Sequence, residues 1–217
     1  MSLPPVVESR WSRRFADGYD TAFAGVERTF LGPLRSRLVA ELSGQVVEIG
    51  AGTGANVPHY RAAHRVDLVE PLGSMRAQLE RRVASRDGGI PMTAVDGRAE
   101  DLPFDDGSVD AVVSTLVLCS VADVERALAE VRRVLAPGGV FAFLEHSRGR
   151  GVKRAAQAAI TPVTMRICGN CHHNRALAAA INGAGFAAVT PLPVPAPWGI
   201  RLLPEWPLVA GHATLAR

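Results

Sequence analysis

Residues 46–56, with the sequence VVEIGAGTGAN, decide the fold class of this chain. The apolar run before the first glycine predicts a short buried strand, and the three alternating glycines predict a tight turn with a bare backbone. We expect a helix to begin at residues 57–61. A turn of this kind suits two ligands, the pyrophosphate of a dinucleotide such as NAD or the nucleoside S-adenosylmethionine.

Two acidic residues flank the turn and bear on this choice. Glu70 lies 20 residues beyond Gly50, at the end of the next predicted strand, where its carboxylate can accept two ribose hydroxyls. That position fits either ligand, and residues 50–55 can also be read as the G-x-G-x-x-A dinucleotide pattern. Glu48 stands two positions before the turn, where it would repel a pyrophosphate and attract the ammonium of a methionine tail.

The segments after the turn alternate between strand and helix patterns. Strands are predicted at 46–49, 65–70, 92–95, 109–118 and 140–145, and helices at 74–86 and 123–135. Such alternation predicts a parallel sheet with helices on both faces and right-handed crossovers. Ligands of these sheets bind at the carboxyl ends of the strands, so the site is expected at that edge.

The flanking regions give weaker patterns. Helices are predicted at 7–17, 26–42 and 175–183, helix and loop at 148–172, an irregular proline-rich edge segment at 191–207 and a last strand at 211–217. We interpret residues 1–217 as a single domain. Its parts are N-terminal helices at 1–43, a cofactor-binding core at 44–147, and acceptor-side helices and strands at 148–217.

The composition excludes several classes of protein. The 217 residues carry a net charge of +3 with no long polybasic run, so nucleic-acid binding is not expected. No apolar stretch approaches the roughly 20 residues of a membrane span, so stable membrane association is not expected either. Three cysteines argue against a secreted disulfide framework. We expect a cytoplasmic monomer or homodimer.

Further motifs follow the glycine turn in a fixed order. They are RAEDLPF at 98–104, DGSVD at 106–110 and RRVLAPGG at 132–139. Together with the turn, they resemble the class I S-adenosylmethionine-dependent methyltransferases over roughly residues 46–147. The resemblance implies a Rossmann-like, doubly wound α/β sheet, mostly parallel with a final antiparallel strand, and S-adenosyl-L-methionine as the cofactor.

A second set of motifs is similar to one group within that family. The stretches GTGAN at 52–56, STLVLCSV at 114–121 and LEH at 144–146, with Cys171 and Arg175, resemble the methyltransferase-like thiol S-methyltransferases of the protein-seven type. This resemblance implies a small-molecule acceptor, preferably a thiol. The animal members of that group carry an N-terminal membrane anchor, which we do not expect from residues 1–43 here.

The family resemblance implies which residues form the site. The cofactor-binding candidates are Glu48, Gly50, Gly52, Gly54, Asn56, Glu70, Pro71, Met75, Ala99, Glu100, Thr115 and Leu116. Arg98 stands where many members have Asp, so the contact there is assigned to the backbone of Ala99, with Glu100 nearby. His146 is the candidate base or acceptor-orienting group. Tyr19 and Asp20, at the end of the first predicted helix, are the other catalytic candidates and are expected to close over the cofactor.

The cysteines and large aromatic residues leave alternatives open. Cys119 is interpreted as a small apolar filler, at a position where many relatives have His. Cys168 and Cys171 form a C-x-x-C pair followed by two histidines, which permits a zinc or redox reading, but a single pair favours a loop that lines the acceptor pocket. No metal is expected. Trp11, Phe15 and Trp198 are candidate pocket walls.

Three reactions remain as hypotheses. Transfer to a thiol is preferred because a free thiol, with a pKa near 8.5, needs little help to ionise, and because a soft nucleophile suits the sulfonium methyl. An O- or C-methyltransferase of a small phenol or quinol is the alternative, and an NAD-dependent oxidoreductase is a more distant one.

Overall fold

The fold is seen in a computed structural model that describes residues 8, 10–195, 199, 202 and 207–217, without the side chain of Trp11. Val7, the predicted start of the first helix, and Trp198, a predicted pocket wall, lie outside the described residues.

The centre of the molecule is a sheet of seven strands in the order β3-β2-β1-β4-β5-β7-β6. The strands are β1 (Gly44–Ile49), β2 (Ala63–Val69), β3 (Met92–Val95), β4 (Val109–Thr115), β5 (Leu135–His146), β6 (Ala188–Leu192) and β7 (Leu208–Thr214). Strands β1 to β5 pair in parallel, whereas β7 runs antiparallel to both β5 and β6. The strand order reverses between β1 and β4, which is where such sheets bind their ligands.

Helices cover both faces of the sheet. They are α1 (Arg10–Val26), α2 (Gly32–Val39), α3 (Gly73–Ala84), α4 (Val124–Val134), α5 (Val152–Ile167) and α6 (Leu177–Gly183). Side chains of α4 and α6 share one buried cluster with Val47 and Ile49 of β1. Side chains of α2 and α3 share the opposite cluster with Val46. Because β1 is buried on both faces from Val46 onwards, residues 46–49 form an apolar run interrupted only by Glu48.

The structure confirms the mostly parallel doubly wound sheet and corrects several element boundaries. Helix α1 extends to Val26 and continues through a π-helical turn at Glu27–Leu31 into α2, so the two predicted N-terminal helices have no gap between them. The helix predicted from Val57 is wrong. Only a 3₁₀ turn, Val57–His59, forms before Tyr60 turns extended, and β2 starts three residues later at Ala63.

The later part of the sheet also differs in detail from the sequence prediction. Strand β4 stops at Thr115, not at residue 118, because Leu116 adopts a left-handed backbone with φ 61°. The last strand begins three residues earlier than predicted and ends at Thr214. Part of the proline-rich segment forms a regular strand, β6, but it lies at the sheet edge as expected for a strand that contains Pro191.

Candidate active site

The glycine turn follows β1 at the carboxyl edge of the sheet, and its three glycines differ in what surrounds them. All three have positive φ. A Cβ at Gly50 would lie 2.5 Å from Val117 Cγ1, and one at Gly54 would lie 2.8 Å from Leu79 Cδ1, so these two glycines permit close packing. A Cβ at Gly52 would meet nothing within 4 Å. Gly52 therefore presents bare backbone to open space, as a ligand cradle requires.

Glu70 ties the glycine turn to the end of β2. Its Oε2 accepts a hydrogen bond from the Gly52 amide at 2.9 Å, and its Oε1 accepts one from the Leu72 amide at 2.8 Å. The carboxyl is buried, and burial raises its pKa. Pro71 is half-buried and Met75 is buried at the start of α3, and their contact with the cofactor stays a prediction.

Glu48 is fully enclosed beneath the turn. Its Oε2 accepts a hydrogen bond from the Tyr60 hydroxyl at 2.6 Å, and its Oε1 accepts one from Asn56 Nδ2 at 2.9 Å. Burial raises the pKa of Glu48 to about 7. Both carboxylate oxygens are engaged within the protein, so a direct contact with a methionine ammonium stays a prediction.

Arg35 of α2 links this buried carboxylate to β4 and to the N-terminal helices. Its Nη1 donates to Thr115 Oγ1 at 2.7 Å and to Asn56 Oδ1 at 3.2 Å, while its Nη2 forms an ion pair with Glu27 at 2.9 Å. Asn56 and Thr115, both predicted cofactor residues, are thus held in a buried polar network. The sequence analysis missed Arg35, although a charged residue between the apolar Leu34 and Leu38 on one helix was a usable signal.

Tyr19 and Asp20 lie inside α1, which corrects their predicted position at a helix end. Asp20 accepts a hydrogen bond from the Thr53 hydroxyl at 2.6 Å and forms an ion pair with Arg82, so α1 is fastened to the glycine turn. The Tyr19 ring meets that of Phe15 edge-on and that of Phe23 at a tilt, with ring centroids 5.4 and 4.8 Å away. Burial raises the pKa of Tyr19 to about 12, so its phenol stays protonated.

A cleft of about 590 Å³ lies beside α1, with Tyr19, Asp20, His59 and Arg82 in its walls. Its described lining does not include Gly52 or Glu70. The cleft therefore borders the N-terminal helix rather than the predicted cofactor residues at the strand ends.

The segment after β3, residues 96–101, is hydrogen-bonded to the residues that precede α4. Ala99 is buried, and Glu100, also buried, accepts hydrogen bonds from the amides of Ala122 and Asp123 at 2.7 and 3.4 Å. Glu100 thus organises the turn between β4 and α4. Its predicted contact with the cofactor stays a prediction.

Glu145 shapes the end of β4. It is completely buried, and its carboxylate accepts hydrogen bonds from the Ser114 hydroxyl at 2.6 Å and the Val117 amide at 3.1 Å. Between them, Leu116 has φ 61°, a conformation that costs a non-glycine residue energy and is found mainly at functional sites. The sequence analysis included Glu145 in the motif LEH at 144–146 but assigned it no role, whereas it named Leu116 as a cofactor-binding candidate.

His146 ends β5 and lies against two cysteines. The Sγ of Cys171 donates to the Sγ of Cys119 at 3.2 Å and lies 3.7 Å from Nδ1 of His146. His146 is half-buried, and its ring meets that of His173 edge-on at 4.5 Å. The hydrogen bond from Cys171 and burial raise the pKa of Cys119 well above its ordinary value. Cys171 therefore joins Cys119 and His146, a grouping that the sequence analysis did not foresee.

The chain after α5 folds back over the turn that follows β4. The His172 amide donates to the Cys119 carbonyl at 2.8 Å, and Arg175 Nη1 donates to the carbonyls of Leu118 and Val121 at 2.8 and 2.7 Å. The predicted helix and loop over the crevice are thus present, with α5 ending at Ile167. None of the helices in the described part of the chain has the length and apolar composition that crossing a membrane requires.

Comparison with known proteins adds family information. A family profile described as a methyltransferase domain matches residues 47–143. The chain is 37% identical to human thiol S-methyltransferase TMT1A over 134 residues, which is 61% of this chain and 55% of that protein. It is 33% identical to rat thiol S-methyltransferase TMT1B over 171 residues, 77% of this chain and 69% of that protein.

Other relatives carry other acceptor names. The chain is 40% identical to the demethylmenaquinone methyltransferase of Thermobifida fusca over 104 residues, 47% of this chain and 43% of that protein. Among solved structures, an S-adenosylmethionine-dependent methyltransferase from Thermotoga maritima, described as a possible histamine N-methyltransferase, has a TM-score of 0.67 and 26% identity. That match covers 94% of this chain and 97% of the other.

Proposed function

Because this chain belongs to the class I S-adenosylmethionine-dependent methyltransferases, we propose that it transfers the methyl group of S-adenosylmethionine to a small-molecule thiol. Family membership removes the dinucleotide alternative, since the cofactor of the family is S-adenosylmethionine. The thiol acceptor is supported by the names of the TMT1 relatives. It is also supported by the half-buried His146, whose ring nitrogen lies next to the Cys171 sulfur. We also propose that the whole chain forms one methyltransferase domain.

The residues around the glycine turn fit the cofactor. We assign Gly52 to close approach of the ligand, because its α-carbon faces open space. Glu70 would hold the ribose hydroxyls, since each of its oxygens accepts one hydrogen bond from the residues that the structure describes and keeps a second lone pair. The remaining assigned lining residues are Pro71, Met75, Ala99 and Leu116. When bound, the cofactor supplies an electrophilic sulfonium methyl group.

We assign the acceptor to the ends of β4 and β5, across from the glycine turn that follows β1. His146 is half-buried at the end of β5, where it can accept the thiol proton or orient the sulfur. Positioning carries most of the catalysis, because the methyl group is already activated and the sulfur must approach in line at about 3–3.5 Å. Val117 approaches Gly50 so closely that a Cβ there would clash, which allows the turn after β1 and the turn after β4 to pack against each other.

The N-terminal helix has a fastening role. Asp20 is engaged by the Thr53 hydroxyl and by Arg82, and Tyr19 keeps its proton, so we assign neither residue to proton transfer. Both would hold α1 over the glycine turn and keep water from the reacting atoms. The observation that carries the proposal is the placement of the open glycine turn with Glu70 and of the half-buried His146 at one edge of the sheet.

A thiol panel tests the acceptor. Purified protein with S-adenosylmethionine should add one methyl mass to small thiols and release S-adenosylhomocysteine. The variant His146→Gln should lower kcat about 100-fold with a small change in cofactor affinity. His64→Gln, at an exposed position on β2, is the control and should leave kcat unchanged. Turnover of phenols or quinols without any thiol product would replace the proposal with an O- or C-methyltransferase.

The glycine turn tests the cofactor assignment separately. Gly52→Ala should weaken S-adenosylhomocysteine binding at least about tenfold in calorimetry, because the new methyl group enters the ligand space. Gly88→Ala is a matched control, since Gly88 also has positive φ and open space around its α-carbon. Both variants should lose a similar ~1–2 kcal/mol of stability from the left-handed backbone. Equal cofactor affinity in the two variants would show that the cofactor binds elsewhere.

A further inference from the structure

Two cysteine thiols and one histidine imidazole, from separate parts of the chain, lie close together near the ends of β4 and β5. Cys119 follows β4, His146 ends β5 and Cys171 follows α5. Their sulfur and ring-nitrogen atoms all lie within 4.8 Å of one another, and no residue of the described chain other than these three joins this group. Cys119 and Cys171 are buried, while His146 is half-buried, so the group is closed on one side and approachable on the other.

Hydrogen bonds between the segments hold these side chains in place. The His172 amide donates to the Cys119 carbonyl at 2.8 Å, so the loop that carries Cys171 is joined directly to the turn that carries Cys119. The Thr164 hydroxyl of α5 donates to the Cys171 carbonyl at 3.0 Å. These hydrogen bonds to the backbone therefore hold both cysteines in position independently of the contact between their sulfurs.

The two distances from the Cys171 sulfur, to Cys119 and to His146, are closer to metal coordination than to a disulfide. In a tetrahedral zinc site with Zn–S of about 2.3 Å, two sulfurs lie about 3.8 Å apart, and a sulfur and a nitrogen lie about 3.5 Å apart. Here the two sulfurs are 3.2 Å apart, and Cys171 Sγ lies 3.7 Å from His146 Nδ1. A disulfide needs about 2.05 Å between the sulfurs, which is further from the observed separation than the zinc value is.

We propose that Cys119, His146 and Cys171 form a binding site for Zn²⁺ with three protein ligands and an open fourth position. Thiolate and imidazole are the ligands that zinc prefers, and three protein ligands with one open position are typical of reactive rather than structural zinc sites. On binding, the two S–H bonds break, both protons pass to water, and two Zn–S bonds and one Zn–N bond form.

The open position has a consequence that rests on the proposed function. The approachable side of the site is the side of His146, where the acceptor is expected. A thiol that enters the fourth position is bound as the thiolate and gives up its proton to water, so the metal takes over the role otherwise assigned to the imidazole. The acceptor class is then restricted to groups that zinc binds well, above all thiols.

Metal titration of the full chain tests the site. Reduced, metal-free protein should bind one equivalent of Co²⁺ with the intense thiolate-to-cobalt absorption of a sulfur-coordinated tetrahedral ion, and Zn²⁺ should displace it. Cys119→Ser and Cys171→Ser should each weaken Co²⁺ binding by more than the roughly 10–100-fold that loss of an outer-shell partner costs. Cys168→Ser is the matched control, because Cys168 precedes Cys171 by three residues and lies outside the group, and it should keep the full absorption.

Several results would overturn the site. These are wild-type protein without a stoichiometric cobalt spectrum, a spectrum unchanged in Cys171→Ser, or a spectrum lost in Cys168→Ser. A loss of two hydrogens by mass on air oxidation, in protein that takes up no metal when reduced, would identify the cysteines as a redox pair instead. Variants are compared only after calorimetry shows wild-type affinity for S-adenosylhomocysteine, which establishes that they are folded.

The same calorimetry separates the two proposals. Metal-free protein that binds S-adenosylhomocysteine but no Co²⁺ sinks the metal site and leaves the methyltransferase proposal intact. Protein that binds Co²⁺ at this site but methylates no thiol leaves the metal site intact and removes the proposed function. A rate of thiol methylation that is the same with and without Zn²⁺ overturns the role of the fourth position.

Discussion

The two sides of the carboxyl edge of the sheet are built in different ways. On the β1–β2 side, the polar side chains of Glu48, Asn56 and Arg35 satisfy one another in a buried network. On the β4–β5 side, a loop from a later part of the chain is held mainly by donors to backbone carbonyls, as in the two bonds from Arg175. On the first side each polar side chain depends on the others, whereas on the second side the side chains of residues 118–121 can change while their carbonyls still accept from Arg175.

The sharpest test of this contrast is the loss of the buried arginine. Arg35→Met should lower the free energy of unfolding by about 3–5 kcal/mol, because Glu27 loses its ion pair and Asn56 and Thr115 lose a shared donor. Urea denaturation measures it. Arg37→Met, at an exposed position on the same helix, is the control and should stay within about 0.5 kcal/mol of wild type. A loss below 1 kcal/mol for Arg35→Met would mean that the network does not stabilise the β1–β2 side.

Glu48, on the β1–β2 side, makes the free energy of unfolding depend on pH. Its pKa is raised from 4.5 to about 7 by burial, so the folded state favours the protonated carboxyl. This contribution to stability is complete below pH 4.5 and is lost as the pH rises through about 7, a change of about 3 kcal/mol. Glu48→Gln stays neutral, so the stability of wild type relative to this variant should fall over that interval.

Denaturation of both proteins from pH 4.5 to 8 measures the difference. Glu80→Gln removes a carboxylate from an exposed position on α3 and reports the general effect of net charge. Parallel stability curves for wild type and Glu48→Gln would contradict the buried, proton-binding carboxyl.

The acceptor side should respond more weakly in stability and more strongly in acceptor binding. Arg175→Met removes two hydrogen bonds to carbonyls and should cost about 1–2 kcal/mol. It should raise the KM for the thiol several-fold and leave S-adenosylhomocysteine affinity unchanged, because the anchored loop lies on the β4–β5 side only. Arg166→Met, exposed near the end of α5, is the control and should change neither. A loss of cofactor affinity in Arg175→Met would show that the two sides are not independent.

The sequence predicted the strand and the glycine turn of the β1–β2 side, but not Arg35 or the contacts of the β4–β5 side, for a physical reason. The strand run, the positive-φ glycines and Glu70 are local signals whose spacing follows from backbone geometry. The contact between Cys119 and Cys171 joins residues 52 positions apart through a loop with no period of its own, so no local pattern reports it. The C-x-x-C spacing gives no sign of this contact, because it relates Cys171 to Cys168 in the sequence and not to Cys119.

Some misses have a specific competing interaction. The helix expected from Val57 gives way to a 3₁₀ turn, which lets the Tyr60 hydroxyl reach the buried Glu48. Strand β4 ends early because the left-handed backbone at Leu116 lets the Val117 amide reach Glu145. In both places, a buried carboxylate outweighs the local propensity of the backbone.

Strand β7 has a consequence for how the protein is made. It lies between β5 and β6, although it follows both in the chain, so neither strand has its partner on that side until residues 208–214 have been synthesised. Until then, the nascent chain exposes the open edge of β5, with His146 at its end, and such edges pair readily with other chains. Proteolytic removal of β7 would expose the same edge again, so the pairing of β7 with β5 keeps that edge from pairing with other chains.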